Sequence, residues 1–135
     1  MKIKTLLPLT LVLLAGVGTA NASCKQADAK GTWITYQAAF ITAPNGQHVG
    51  QCNLVVDKGG YVDQTGSYCE FVTFNTPKIP TGGTITVNKD CSATILLELG
   101  AFMGQVQLAK NKQTFSGRFS AQDGAVSGTT SGVKQ

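Results

Sequence analysis

The 135-residue sequence has one histidine, one tryptophan and seven acidic residues, and it lacks the concentrated motifs that mark catalytic chemistry. A serine-type triad would need His48 as its base. That residue follows the turn signal Pro44-Asn45-Gly46, where an exposed loop histidine is the plainer reading. There is no Cys-x-x-Cys and no second histidine, so no metal centre and no cofactor is expected. The acids Asp28, Asp57, Asp63, Glu70, Asp90, Glu98 and Asp123 are scattered. Asp57 and Asp63 flank Gly59-Gly60 and could meet across it as a glycosidase pair does, although acids beside turns ordinarily serve turn chemistry. Asp57-Lys58-Gly59-Gly60 lacks the alternating oxygen ligands of a calcium loop. Neither Gly59-Gly60 nor Gly82-Gly83 precedes the helix of a phosphate cradle. Lys110 and Lys112 are two lysines in a turn, not the basic stripe that nucleic-acid binding requires.

The first 22 residues carry a targeting pattern. Lys2 and Lys4 form a positive start, residues 6–17 are apolar except at Pro8 and Thr10, and Ala20-Asn21-Ala22 places small residues where signal peptidase reads. The apolar run is shorter than the roughly 20 residues of a membrane span, so cleavage after Ala22 and no retained membrane span are expected. Lipidation at Cys24 is the alternative, but Asn21 stands where a lipobox wants leucine. Removing residues 1–22 leaves 113, enough for one all-β domain over 23–135, and lowers the net charge from +4 to +2. The expected location is periplasmic or secreted.

Four cysteines remain, and an even count in an exported chain reads as two disulfides. The pairing favoured is Cys52 with Cys69 and Cys24 with Cys91. The first closes a loop of about 15 residues, a contribution of roughly 3 kcal/mol in the chain-entropy treatment. The second ties down an N-terminal arm.

No helix pattern follows residue 22. Gly, Thr, Val and Ser dominate, with turn signals at about 8–12-residue spacing, as in an all-β sandwich or barrel. Strands are expected over 31–40, 51–57, from Tyr61, and over 68–74. In the first, either Trp33 or the set Ile34, Tyr36, Ala38 and Phe40 faces inward. Pro77 and Pro80 mark a connection rather than a central strand. Residues 82–97 read as a hairpin: Ile85 and Val87 alternate with polar residues, Asn88 to Asp90 form a corner, and Cys91 opens the return strand.

The last third fixes two registers. Asp123-Gly124 is a type I′ signal, and folding there pairs Phe119 with Gly128 and Phe115 with Gly132. A loop at 110–113 pairs Leu108 with Phe115, Val106 with Gly117, and Gly104 with Phe119. Phe119 would then lie between Gly104 and Gly128 and cover their bare backbone, while Thr114, Ser116, Arg118 and Ser120 form a wet face. The whole suggests about eight short antiparallel strands in a closed or nearly closed barrel, with a two-sheet sandwich as the alternative.

Several spaced features carry a resemblance. They are Gly31-Thr-Trp33-Ile-Thr-Tyr36, Cys52 opening a Leu-Val-Val strand before Gly59-Gly60, Cys69, the Gly82-to-Val87 run into Cys91, and Leu108 to Gly117. Together they resemble a family of small exported bacterial β-meander proteins with structural cysteines and no assigned activity. The resemblance implies a secreted or periplasmic domain and brings no catalytic residues. Gly31-x-Trp33 is also similar to the Gly-x-Trp that opens lipocalin barrels.

With catalytic groups so sparse, aromatics are the better functional candidates. Trp33, Tyr36, Tyr61, Tyr68, Phe71, Phe74 and Phe102 exceed what the C-terminal meander needs. Their plain role is core, but several at a barrel mouth would make an apolar pocket. Trp33, Tyr36, Tyr61, Tyr68, Phe102 and Met103 are the candidate contacts, with Phe102-Met103 a candidate exposed apolar spot. The expected function is a non-enzymatic binding or interaction module with a small apolar ligand or a protein partner. The alternatives are a secreted inhibitor of a protease or lysozyme presenting residues 73–83, and a small hydrolase using His48 or the Asp57/Asp63 pair.

Overall fold

The computed structural model describes residues 23–41, 47–71 and 76–135. The targeting segment, the turn at Pro44-Asn45-Gly46 and Phe74 lie outside them. Ten strands run through the described residues: β1 Gly31–Ile41, β2 Gln47–Val56, β3 Tyr61–Val62, β4 Tyr68–Phe71, β5 Ile79–Pro80, β6 Gly83–Val87, β7 Ser92–Leu97, β8 Phe102–Leu108, β9 Thr114–Ala121 and β10 Val126–Lys134. Every pairing is antiparallel.

Eight strands close a barrel in the order β1-β10-β9-β8-β7-β6-β3-β2, and β2 returns to β1 to complete the ring. The barrel, not the sandwich, is the architecture. β4 and β5 extend from β2: near Val56 that strand pairs with β3, and over residues 50–53 it pairs with β4. Pro80 sits in the outermost two-residue strand, where its missing N–H interrupts no ladder.

Local chemistry explains the registers. Asp123 and Gly124 both take positive φ, and Ala125 N donates to Gln122 O at 3.1 Å, which is the type I′ turn. Val126 then meets Ala121, and the pairs Phe119–Gly128 and Phe115–Gly132 follow. Ala109 N donates to Thr114 O at 2.8 Å and closes the preceding hairpin, with Gly104 opposite Phe119. The β6–β7 hairpin forms as expected, Ile85 opposite Ile95. At its entry Gly83 has φ +146°, and a Cβ there would run into the Leu96 carbonyl, so only glycine lets β7 cross so closely.

Glycine cover differs from expectation. Phe115 does fill the space over Gly132, but Phe102 lies over Gly104, and the neighbouring β1 backbone at Ala38 and Ala39 approaches Gly128. Barrel closure brings a third strand against β10, which two-strand registers do not describe.

One end of the barrel is plugged. A 3-10 turn at Gln26–Ala29 lies across it, held by Trp33 Nε1 donating to Ala29 O at 2.8 Å. The Gln26 amide donates to Ile85 O at 2.6 Å and accepts from Val87 N at 3.0 Å, so it extends the ladder of β6. Cys24 is bonded to Cys91 and fastens this arm, and Cys52 is bonded to Cys69 across β2 and β4. Asp28 accepts a salt bridge from Lys112 at 2.9 Å, which holds its carboxyl below the ordinary value. The main core gathers at this end around Trp33, 2% exposed and tilted against Phe115 with ring centroids 5.3 Å apart.

Trp33 also decides the phase of β1. With period two, Thr35, Gln37 and Ala39 follow it inward, while Tyr36 and Ala38 face outward. Of the set Ile34, Tyr36, Ala38 and Phe40, the first three are therefore not on the interior face, although the set is the more apolar of the two, and the Phe40 side chain lies outside the described residues.

Candidate functional site

The other end of the barrel holds a cavity of about 330 Å³. The two ends differ in side-chain size. The plugged end is filled by Trp33, Leu54, Ile95, Leu108 and Phe115, and the gap beside Trp33 is about 10 Å³, at most one water. Toward the open end the inward positions include the small residues Ala39, Gly50, Gly104, Ala121 and Gly128; neighbouring groups occupy the room beside the three glycines, and of the five Ala121 lines the cavity.

The wall is assembled from seven strands or their ends. Phe71 comes from β4, Leu97 from β7, Phe102 from β8, Phe119 and Ala121 from β9, and Val126 from β10. Leu99 and Gly100 contribute from the short turn before β8. The Cys52–Cys69 disulfide forms part of the wall between β2 and β4. Gly50 lies opposite both Gln37 and Phe71, and a Cβ there would come within 2.9 Å of the Phe71 ring and 3.1 Å of Gln37 Oε1. The bare Gly50 backbone therefore lets both side chains lie across β2.

Two lining side chains on β1 and β2 can make directional polar contacts, Gln37 and His48. Gln37 is 5% exposed, and its Nε2 donates to Thr35 Oγ1 at 2.7 Å. Its Oε1 lies 3.8 Å from Cys52 Sγ, but a disulfide sulfur carries no proton, so this contact is not a hydrogen bond. His48 is half-buried in β2 and tilted against Phe71 with ring centroids 4.6 Å apart. Burial pushes its imidazole below the ordinary value and favours the neutral ring. It is a strand residue at a cavity, not an exposed loop residue, because β2 starts at Gln47 rather than Gln51.

Of the six aromatic and methionine candidates, Phe102 alone lines this cavity. Trp33 belongs to the plugged-end core. Tyr36 and Tyr61 are 51% and 66% exposed on the outer surface, and Met103 points outward from β8. Tyr68, on β4, carries the Lys78 ammonium 4.3 Å above its ring. Phe71, named among the aromatic candidates, and His48, named as a possible base, also line the cavity, and Gln37 joins them. Phe71 is legible as an aromatic in a strand, whereas Gln37 reads in sequence as an ordinary wet-face residue.

Asp57 and Asp63 serve turns. Asp57 Oδ1 accepts from Gly59 N at 2.8 Å and Tyr61 N at 2.9 Å, and Asp63 accepts from Thr65 N and Oγ1. Among the described residues no group of three His, Cys, Asp or Glu is placed to hold a metal ion, and no helix is long and apolar enough to cross a membrane. The described part of residues 73–83 is bonded into the sheet: Phe71 N donates to Thr76 Oγ1 at 2.9 Å, and Thr81 N to Ser67 O at 3.1 Å. No protein-family model matches the chain, and no curated protein matches it either.

Proposed function

We propose that this chain is an exported, non-enzymatic binding protein whose small apolar ligand occupies the open end of the barrel. The observation that carries the reading is the asymmetry of the interior: one end tightly filled and plugged, the other an apolar cavity of about 330 Å³. That volume is at the lower end of ligand sites and about twice that of an engineered cavity that takes benzene, which suits a ligand of roughly a dozen non-hydrogen atoms. Two disulfides suit an oxidising compartment, and the targeting pattern of residues 1–22 agrees with export. The resemblance to small exported β-meander proteins points the same way.

The test is titration of the oxidised mature chain with 1-naphthylamine, whose size matches that of such a ligand, followed by fluorescence. Saturable 1:1 binding is expected, weakened at least about tenfold by Ala121→Trp, which places an indole at the cavity wall. Absence of saturable binding, or equal binding by the variant, would overturn the proposal. An intact mass corresponding to residues 23–135 from the native host tests the export part separately.

A further inference from the structure

We propose that the ligand is an uncharged molecule with an apolar body and one hydroxyl group, and that the Gln37 amide at the cavity floor binds that hydroxyl. This rests on the binding reading above and adds the chemical class of the ligand.

The argument starts from the amide. Gln37 lines the cavity and is 95% buried, one Nε2 bond to Thr35 Oγ1 satisfies one side of its head, and the other side faces Cys52 Sγ at 3.8 Å. Cys52 is in a disulfide, so its sulfur cannot donate. Among the described residues Oε1 is thus a buried acceptor with no donor. Exchanging the amide's oxygen and nitrogen does not remove the deficit, because Thr35 would then donate to the oxygen and the NH₂ would be left facing the disulfide sulfur, only a weak acceptor. Buried polar groups without partners are rare, and each asks for a missing partner. A hydroxyl donates and accepts, so it answers either orientation of the amide; an ether or ketone oxygen answers only one.

The charge follows from the rest of the wall. Among the described residues lining the cavity there is no Lys, Arg, Asp or Glu, and His48, packed against Phe71, is the one titratable group. A ligand carboxylate or ammonium would be buried against apolar carbon and a disulfide with no counter-charge, the costliest arrangement a cavity of this kind can impose. A hydrocarbon would leave the Gln37 amide as it stands. A neutral alcohol or phenol satisfies it.

The test uses three probes of one shape: naphthalene, 2-naphthol and 2-naphthoate, titrated into the oxidised mature protein by calorimetry at neutral pH. 2-Naphthol is expected to bind about tenfold more tightly than naphthalene, as one hydrogen bond to a buried amide allows, and 2-naphthoate more weakly than both. In Gln37→Met, which keeps the length of the side chain, naphthalene should bind as before and the hydroxyl preference should fall to about twofold or less. Equal binding of naphthol and naphthalene to the wild-type protein would overturn the inference while leaving the cavity reading intact, and this comparison needs no variant. Preference for naphthoate, or a hydroxyl preference undiminished in Gln37→Met, would also overturn it. Failure of all three probes to bind would remove the cavity reading and the inference together.

Discussion

Phe102 and Phe119 stack with ring centroids 4.8 Å apart and planes 20° from parallel, although the residue opposite Phe119 on β8 is Gly104. Phe102 leans along its own strand into the space that Gly104 leaves, with Cε1 3.2 Å from where a Cβ would stand. The pair joins the plugged-end core to the small cluster of Ala39, Phe119 and Val126 near the mouth.

Phe102→Ala removes one ring of this pair and widens the cavity. Complete burial of a phenylalanine would make the loss larger, but Phe102 is only half-buried, so a stability loss of about 2 kcal/mol is expected. The unfolding midpoint in urea, at unchanged slope, measures it.

Gly50→Ala acts in the opposite sense. The added methyl presses on the Phe71 ring and the Gln37 amide, and both side chains must yield toward the cavity. Stability should fall by about 1 kcal/mol, and affinity for an apolar fluorescent reporter by about tenfold. A reporter affinity as high as that of the wild type would show that the wall does not depend on this bare stretch of β2.

The two disulfides should separate by function. Cys24–Cys91 spans 67 residues and Cys52–Cys69 spans 17, so replacing each pair by serine is expected to cost about 4 and about 3 kcal/mol in the chain-entropy treatment. Cys24 and Cys91 lie at the plugged end, and their removal should leave reporter binding unchanged at temperatures where the chain is folded. Cys52 and Cys69 form the cavity wall, and their removal should change it. Denaturation and reporter titration of the two double variants give both answers.

The pH dependence of stability has a component near neutrality. Burial holds the His48 imidazole below its ordinary 6.5, so the unfolded chain takes up its proton first, and stability falls as the pH drops from above 6.5 through the folded value. His48→Gln should flatten the curve in that window. The carboxyls of Asp28, Asp63 and Asp90, all held below their ordinary 3.8, act only at lower pH. Urea midpoints between pH 7.5 and 5 for the two proteins make the comparison.

Much of the fold could be read from neighbouring residues. The type I′ chemistry at Asp123-Gly124 and the loop at 110–113 set the β8–β9–β10 registers, because a tight turn leaves its two strands little choice of partner. The candidate site was far less legible. Phe102 stands out as an aromatic between glycines, but Gln37 carries no local mark that separates it from a solvent-facing glutamine, and the turn signal beside His48 points to a loop.

By itself the sequence determined the all-β class, the hairpin registers and a cysteine set consistent with two disulfides, because these depend on turn residues, alternation and counts along the chain. Only the tertiary structure decided which face of β1 points inward, since a period of two defines two faces and does not say which one the barrel encloses. Closure against β2 and β10, with Trp33 committed to the core, turned Thr35 and Gln37 inside and Tyr36 out. The cavity was decided at the same level. It is lined by side chains from seven strands or their ends that lie far apart in sequence, and no single stretch of chain contains that coincidence.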